Sequence, residues 1–301
     1  MSSPIVITGM HRSGTTLVTR QLQGHGVFTG AHVDPNQEDF FFLKRNEWLM
    51  RQAGGSWDAP ACTLDFLARP NQLEAIGKRL ARDIRSVRFA GFMGLGSYLV
   101  NRGRFHSQAL WGWKDPRLVF TMPAWRLAFP NAHLLYISRN GVDVAASLRE
   151  RDRQRLANLL SPAPHPTLVE RLGNACHGIE FHARHLHSAS EFTLQSGFDL
   201  WEQYVAQGEC LLEDHRGPKL ALRFEDLAAN CDTALSQLAS FANLSDPEAF
   251  IASWKDTVQP DRAHAFLGDP ELRAFFGEVQ GSHWMRKLGY SVLMGGSTSS
   301  I

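Results

Sequence analysis

Gly9-Met10-His11-Arg12-Ser13-Gly14-Thr15-Thr16 constrains this chain more than any other segment, because of what stands on either side of it. The apolar run from Pro4 to Met10 reads as a short buried strand. From Thr15 a helical pattern begins, with Leu17, Val18 and Leu22 on one face and a stop at Gly24 and Gly26. Strand, glycine loop and helix together make an anion cradle. The two glycines let the backbone curl until several N–H groups converge, and the helix N-terminus adds its positive dipole end. The spacing equals the triphosphate pattern G-x-x-x-x-G-K-[ST], with Thr15 at the lysine position. That lysine reaches the β/γ-phosphates, so its replacement argues for a ligand with no γ-phosphate, while Arg12 supplies positive charge from inside the loop. A glycine turn without a ligand is the alternative, and the strand-loop-helix context weighs against it.

Farther along, Ala109 to Trp113, His133 to Ile137 and Lys219 to Phe224 read as strands. Helical patterns follow over Arg117 to Phe129, Val142 to Arg151 and about Leu227 to Phe241. This alternation predicts an α/β fold: a P-loop-type parallel sheet flanked by helices on both faces. Two stretches interrupt it. Residues 31–108 hold helical candidates at Glu38 to Gln52 and Asn71 to Arg88; residues 152–214 include the Pro-rich Ser161 to Pro166 and continue as two amphipathic helices. Helical insertions near the carboxyl ends of strands are where α/β proteins build ligand sites. A single domain over 1–294 is expected, with the Gly/Ser/Thr-rich tail 295–301 disordered.

Composition closes off other classes. With 44% hydrophobic and 20% charged residues, the chain can bury a substantial core and is neither low-complexity nor coiled coil. Lys plus Arg number 31 against 30 Asp plus Glu, so no global charge draws it to nucleic acid or an anionic membrane, and anion binding must be local. The N-terminus lacks the charge order of a signal peptide, and the apolar run Phe92 to Val100 is broken by Gly94 and Gly96. Membrane insertion is therefore not expected. Cys62, Cys176, Cys210 and Cys231 are widely spaced with no C-x-x-C pair, which reads as reduced thiols in a cytoplasmic protein.

The segment His11-Arg12-Ser13-Gly14-Thr15-Thr16-Leu17 resembles the loop of sulfotransferases that use 3′-phosphoadenosine 5′-phosphosulfate (PAPS), in the R-S-G-T-T form of tyrosylprotein and many bacterial members. The resemblance implies that Arg12, Ser13, Gly14, Thr15 and Thr16 bind the 5′-phosphosulfate. A second element is Arg139 at the end of Leu134 to Ser138, with Ser147 eight residues later. In the family these two positions hold the 3′-phosphate. Arginine offers a planar fork suited to phosphate, and Asp143, Ser147 and Arg151 share a helix face at i, i+4 spacing, so Arg151 joins the cofactor set, the other reading being a polar stripe with an ordinary surface ion pair. A third element, Trp111-Gly112-Trp113-Lys114-Asp115-Pro116-Arg117, resembles the K-D-P strand end whose lysine lies at the transferring sulfonate. Alternation along a strand turns Lys114 away from the tryptophans, although a salt bridge with Asp115 is its other reading. Leu222-Arg223-Phe224-Glu225-Asp226-Leu227 and Leu288-Gly289-Tyr290 resemble two further segments that support the fold more than the chemistry.

By this resemblance the chain is a sulfotransferase that moves sulfonate from PAPS to a hydroxyl, releasing 3′-phosphoadenosine 5′-phosphate (PAP), with no metal. The acceptor hydroxyl can belong to a small molecule, carbohydrate, lipid or peptide. Family members take the acceptor proton with a carboxylate or histidine in the first insertion, and the register points to Glu38, with Asp39 the alternative and His32 next. Either acid can instead open a helix, where the dipole favours it. Glu38, Arg12 and Lys114 form the expected catalytic set. His177, His182, His185 and His187 read as a solvated helix face rather than a metal site, and Gly91 to Gly96 as a flexible loop beside the acceptor. A P-loop kinase, with Asp115 as its Mg²⁺ carboxylate, and a non-catalytic nucleotide-binding protein are the competing readings.

Overall fold

Strand β1 (Ile5–Gly9) is buried along its whole length. Its residues alternate between two cores: Val6 joins Phe42, Trp113 and Trp125 on one face of the sheet, while Ile5 and Ile7 join Val18, Leu135 and Leu235 on the other. A strand buried on both faces is what a parallel sheet with helices on each side requires. The structure is a computed structural model and describes residues 2–105, 109–160, 193–258 and 263–291.

After β1 come α1 (Thr15–Gly24), α2 (Phe40–Gln52), α3 (Ala61–Leu67), α4 (Pro70–Ile84), α5 (Ala90–Met93) and α6 (Leu95–Val100). Then follow β2 (Gly112–Lys114), α7 (Leu118–Trp125), β3 (His133–Ser138) and α8 (Gly141–Leu160). The described chain resumes with α9 (Leu194–Asp214), β4 (Lys219–Arg223), α10 (Phe224–Ala228) and α11 (Asp232–Phe241), and closes with α12 (Pro247–Thr257), α13 (Pro270–Val279) and α14 (His283–Lys287). The sheet has the order β2-β1-β3-β4 with every pairing parallel; Ile5 faces Gly112 on one side and His133 on the other, and Leu134 faces Lys219. The α/β fold expected from the alternation is the fold observed.

The first insertion packs through aromatic rings: Phe42 of α2 stacks on Trp113 of β2 at 3.9 Å, and Trp125 and Phe129 complete the cluster. Each such buried ring contributes roughly 1.5–3 kcal/mol. Of the second insertion, α9 packs against α8; it opens with a capping box in which the Thr193 and Ser196 side chains each serve the other's backbone.

Two expectations need correction. Gly91 to Gly96 is not a flexible loop beside a site: it forms parts of α5 and α6, bent at Gly94, where φ is 78°. The helix expected over Leu227 to Phe241 is two helices, α10 and α11, separated at Asn230, which takes a left-handed φ of 57°. Helical spacing of apolar residues continues across that break, so periodicity alone merges them. The His177 to His187 cluster, the Pro-rich segment and the tail 295–301 lie outside the described residues. Among the described residues no helix is long and apolar enough to cross a membrane.

Candidate functional site

The strand order sets the site. Because β1 lies between β2 and β3, the chain leaves the carboxyl ends of β1 and its neighbours in opposite directions and opens a crevice there. Three loops line it: Met10–Gly14, Asp115–Arg117 and Arg139–Asn140.

The first loop takes backbone conformations that its sequence permits at some cost. Gly9 (φ 147°) and Gly14 (φ 90°) have no room for a side chain, since a Cβ would meet the Ile137 carbonyl oxygen and the Phe224 ring. Arg12, at φ 72°, adopts the left-handed region without being glycine, a strain that functional loops tolerate. The turn sends the Arg12 side chain to Ser147, to whose Oγ its Nε donates at 2.7 Å. Ser13 Oγ donates to the Met10 carbonyl oxygen at 2.7 Å, so its hydroxyl closes the loop rather than facing out. Gly14 is the N-cap of α1, and no side chain caps that helix, which leaves the first-turn N–H groups of Thr15 and Thr16 without a helical partner.

This loop, Lys114 and the start of α8 enclose a cavity of about 360 Å³. Arg139 stands at its rim, donating through Nη1 to the Arg12 carbonyl oxygen at 3.2 Å, pairing with Asp143 at 3.5 Å and lying 4.6 Å over the Phe224 ring. The turn beneath it is held by Glu225, whose carboxylate accepts from Asn140 N at 2.8 Å and from the Tyr290 hydroxyl at 3.0 Å. The two segments read as supporting the fold thus meet each other, below the turn that carries Arg139.

Beside this cavity lies a buried ionic cluster centred on Glu38. One Glu38 oxygen accepts from Lys114 Nζ and the other from Arg117 Nη1, both at 2.8 Å, with the Lys114 and Glu38 side chains only 3% and 4% exposed. Lys114 also donates to the Asn36 carbonyl oxygen at 3.0 Å, and Arg117 also pairs with Asp115 at 3.0 Å. Burial by itself would raise the Glu38 carboxyl, but Lys114 and Arg117 outweigh it and hold the group below the usual carboxylate range. Asp115 accepts from Asn46 Nδ2 at 2.8 Å, and Asn46 in turn accepts from Thr121 and Trp125, so the buried polar group beneath the cluster is fully bonded.

A second cavity, of about 530 Å³, opens on the other side of Glu38, with Asp34, Glu47, Met50, Trp57 and Arg117 in its walls. Both cavities share His11, Asn36, Glu38, Arg151 and Arg155. Arg151 lies 4.5 Å over the Trp57 ring and pairs through Nε with Asp152 at 3.6 Å, while its Nη2, like Nη1 of Arg155, is buried without a hydrogen-bond partner. Burial and the neighbouring Arg155 push the Arg151 guanidinium down to about 10. Unsatisfied buried cationic donors are costly, and an anion of several charges would satisfy them.

Arg12, Gly14, Thr15, Thr16, Lys114, Arg139, Ser147, Arg151 and Glu38 therefore meet in one crevice. Lys114 pairs with Glu38 and not with Asp115. Asp39 stands apart: it is the N-cap of α2, accepting from Phe41 N at 2.8 Å, and lines neither cavity. Burial pushes its carboxyl up to about 7 against three backbone hydrogen bonds. His32 is exposed and lines neither cavity. Sequence reasoning missed His11, Arg117 and Arg155 as cavity residues. Arg155 was within reach, one helical step beyond the face of Asp143, Ser147 and Arg151.

The model of the sulfotransferase family matches residues 4–248 of the chain. Similar solved structures include a sulfotransferase domain from the curacin biosynthetic pathway (17% identity, TM-score 0.47, covering 96% of each chain). They also include sulfotransferase STF1 from Mycobacterium tuberculosis H37Rv (14% identity, TM-score 0.46, covering 85% of this chain and 71% of that one). A sulfotransferase from Alicyclobacillus acidocaldarius is similar at 16% identity and TM-score 0.46, covering 97% and 98%. No curated protein matches the chain.

Proposed function

The chain belongs to the sulfotransferase family, and on that premise we propose that it transfers sulfonate from PAPS to a hydroxyl of an acceptor, releasing PAP. One observation supports this reading above the rest: the anion-loop cavity and the larger second cavity share a wall, and Glu38, ion-paired to Lys114, stands in it. A donor in the first cavity and an acceptor in the second would meet at that wall.

PAPS supplies a sulfonate already activated by a phosphate leaving group. The uncapped N-terminus of α1 and the guanidinium N–H groups at Arg151 Nη2 and Arg155 Nη1, which have no hydrogen-bond partner, suit its charge. Backbone N–H groups of Gly14, Thr15 and Thr16 hold the 5′-phosphosulfate, Arg139 and Ser147 hold the 3′-phosphate, and Arg151 adds charge beside them. Arg12 and Lys114 place fixed positive charge where the leaving phosphate and sulfonate oxygens gain negative charge. Glu38 takes the acceptor proton, while Lys114, itself anchored on the Asn36 carbonyl oxygen, and Arg117 fix its position. The reading takes residues 1–294 as one sulfotransferase domain, and the free thiols of Cys62, Cys210 and Cys231 support a cytoplasmic site of action.

A kinase would need Asp115 at its Mg²⁺. That carboxylate is instead fully buried, bonded to Asn46 and Arg117, and lines neither cavity. PAP is accordingly expected to bind without Mg²⁺ and more tightly than ATP; calorimetry that ranks ATP·Mg²⁺ first reverses the reading toward a kinase. Arg139→Ala is expected to weaken PAP by about ten- to a hundredfold, the scale of one or two hydrogen bonds to a charged group. Binding of adenosine 5′-phosphosulfate, which lacks the 3′-phosphate, should scarcely change. Equal losses for both ligands would mean that Arg139 merely supports the Arg12 carbonyl oxygen to which it donates.

A further inference from the structure

His11 precedes Arg12 in the anion loop, lines both cavities and has no place in the mechanism so far. Its ring packs edge-on against Trp57 at 4.7 Å and Tyr204 at 6.2 Å, contacts that fix the imidazole where the cavities join. Of its two ring nitrogens, only Nε2 is buried without a hydrogen-bond partner. A buried unpartnered nitrogen costs less as a bare lone pair than as an orphaned N–H, so the proton belongs on Nδ1, the nitrogen left to the cavity.

We propose that His11 is a further catalytic residue, donating its Nδ1–H to a non-bridging sulfonate oxygen as the group passes from donor to acceptor. The inference rests on the sulfonate-transfer reading above. In that step the bond from sulfur to the acceptor oxygen forms as the bond from sulfur to the bridging phosphate oxygen breaks. The acceptor proton goes to Glu38, and His11 keeps its own. A neutral donor suits this position because its neighbours are already charged. Arg12 in the loop, Lys114 at the end of β2, Arg117 in the next turn and Arg151 and Arg155 on α8 supply cations; Glu38 and Asp34 supply anions. Burial first, and then Arg117, Arg151, Lys114 and Arg12, hold the imidazole pKa well below its ordinary value, so the ring stays neutral across the working range. Such a group is a poor base and a constant N–H donor.

His11→Ala and His11→Asn separate the possible roles, because Asn places an amide N–H close to the position of Nδ1–H and has no basicity. Turnover is expected to fall by about 10² to 10³ in His11→Ala, the usual loss for one oxyanion-type donor, and to stay within about tenfold of wild type in His11→Asn. Calorimetry with PAP, which has no sulfonate, should give wild-type affinity in both variants and so verify that the loop is intact. Nitrogen-15 spectra of the wild-type imidazole should show the neutral form, with its proton on Nδ1, at pH values where a free imidazole is already protonated.

Three results would overturn the proposal while leaving the donor reading standing. These are an Asn variant as inactive as the Ala variant, a loss of PAP affinity that matches the loss of turnover, and an imidazolium titrating near its ordinary value together with a rate limb at the same pH. Failure of PAP to bind the wild-type protein would overturn the donor reading and this proposal with it.

Discussion

Turnover in the Glu38→Gln variant is expected to fall by about 10² to 10⁴, while PAP still binds. Gln keeps the shape of Glu38 and one acceptor oxygen, but it has no proton-accepting carboxylate and turns an N–H toward Lys114 or Arg117, each now 2.8 Å from a carboxylate oxygen. PAP affinity should hold or rise, because Lys114 is freed from its anion. The pH profile carries independent information. Lys114 and Arg117 overcome the effect of burial and keep Glu38 ionised below the usual carboxylate range, so the acid limb of turnover should lie below that range too. A carboxyl lowered by folding contributes stability above its unfolded pKa, and that contribution is lost as pH falls through the folded value. Activity and stability should therefore fail together in acid. Asp39→Asn is the companion variant: Asn also caps helices, and Asp39 lines neither cavity, so turnover should stay near wild type. If Asp39→Asn is inactive and Glu38→Gln is not, the base is Asp39.

The anion loop was legible because its information is local. Two glycines between a strand and a helix dictate a backbone shape, and Gly14 takes the positive φ that the pattern implies. Lys114 was legible in direction, since alternation along β2 turns it from Trp113, but its partner was not. Glu38 is 76 residues away in sequence, and nothing in either segment says that the pair will be buried together. The same limit hid Arg117, which reads as an ordinary first-turn residue until Glu38 and Asp115 close on it. Asp39 against Glu38 was undecidable for a different reason. Adjacent residues before a helix differ only in which one caps it, and the hydrogen bond to Phe41 N settles that in three dimensions. His11 is legible as a loop residue but not as a functional one, because its neutrality and the missing partner of its Nε2 are properties of its surroundings.

Arg117→Met should be the most destabilising single change at the site. The guanidinium is 10% exposed and joins Glu38, Asp115 and Glu47 at 2.8, 3.0 and 3.4 Å, so its removal leaves two buried carboxylates without their common cation. Breaking a buried pair in this way costs about 3–5 kcal/mol, a large share of the roughly 5–15 kcal/mol that holds a domain folded. Asp115 suffers more than Glu38, which keeps Lys114; burial already pushes the Asp115 carboxyl up, and Arg117 is the strongest influence opposing it. In the variant the folded state thus holds a proton that the unfolded state releases, and stability drops further as pH rises. The deficit against wild type should be larger at pH 8 than at pH 5. Urea denaturation at both values tests this through the midpoint, with the slope unchanged. Turnover supplies the second readout: with one of its two cations gone, Glu38 becomes more basic, and the acid limb should move up toward the usual carboxylate range. A variant that unfolds at the wild-type midpoint with an unmoved acid limb would show that Arg117 neither supports the cluster nor tunes Glu38.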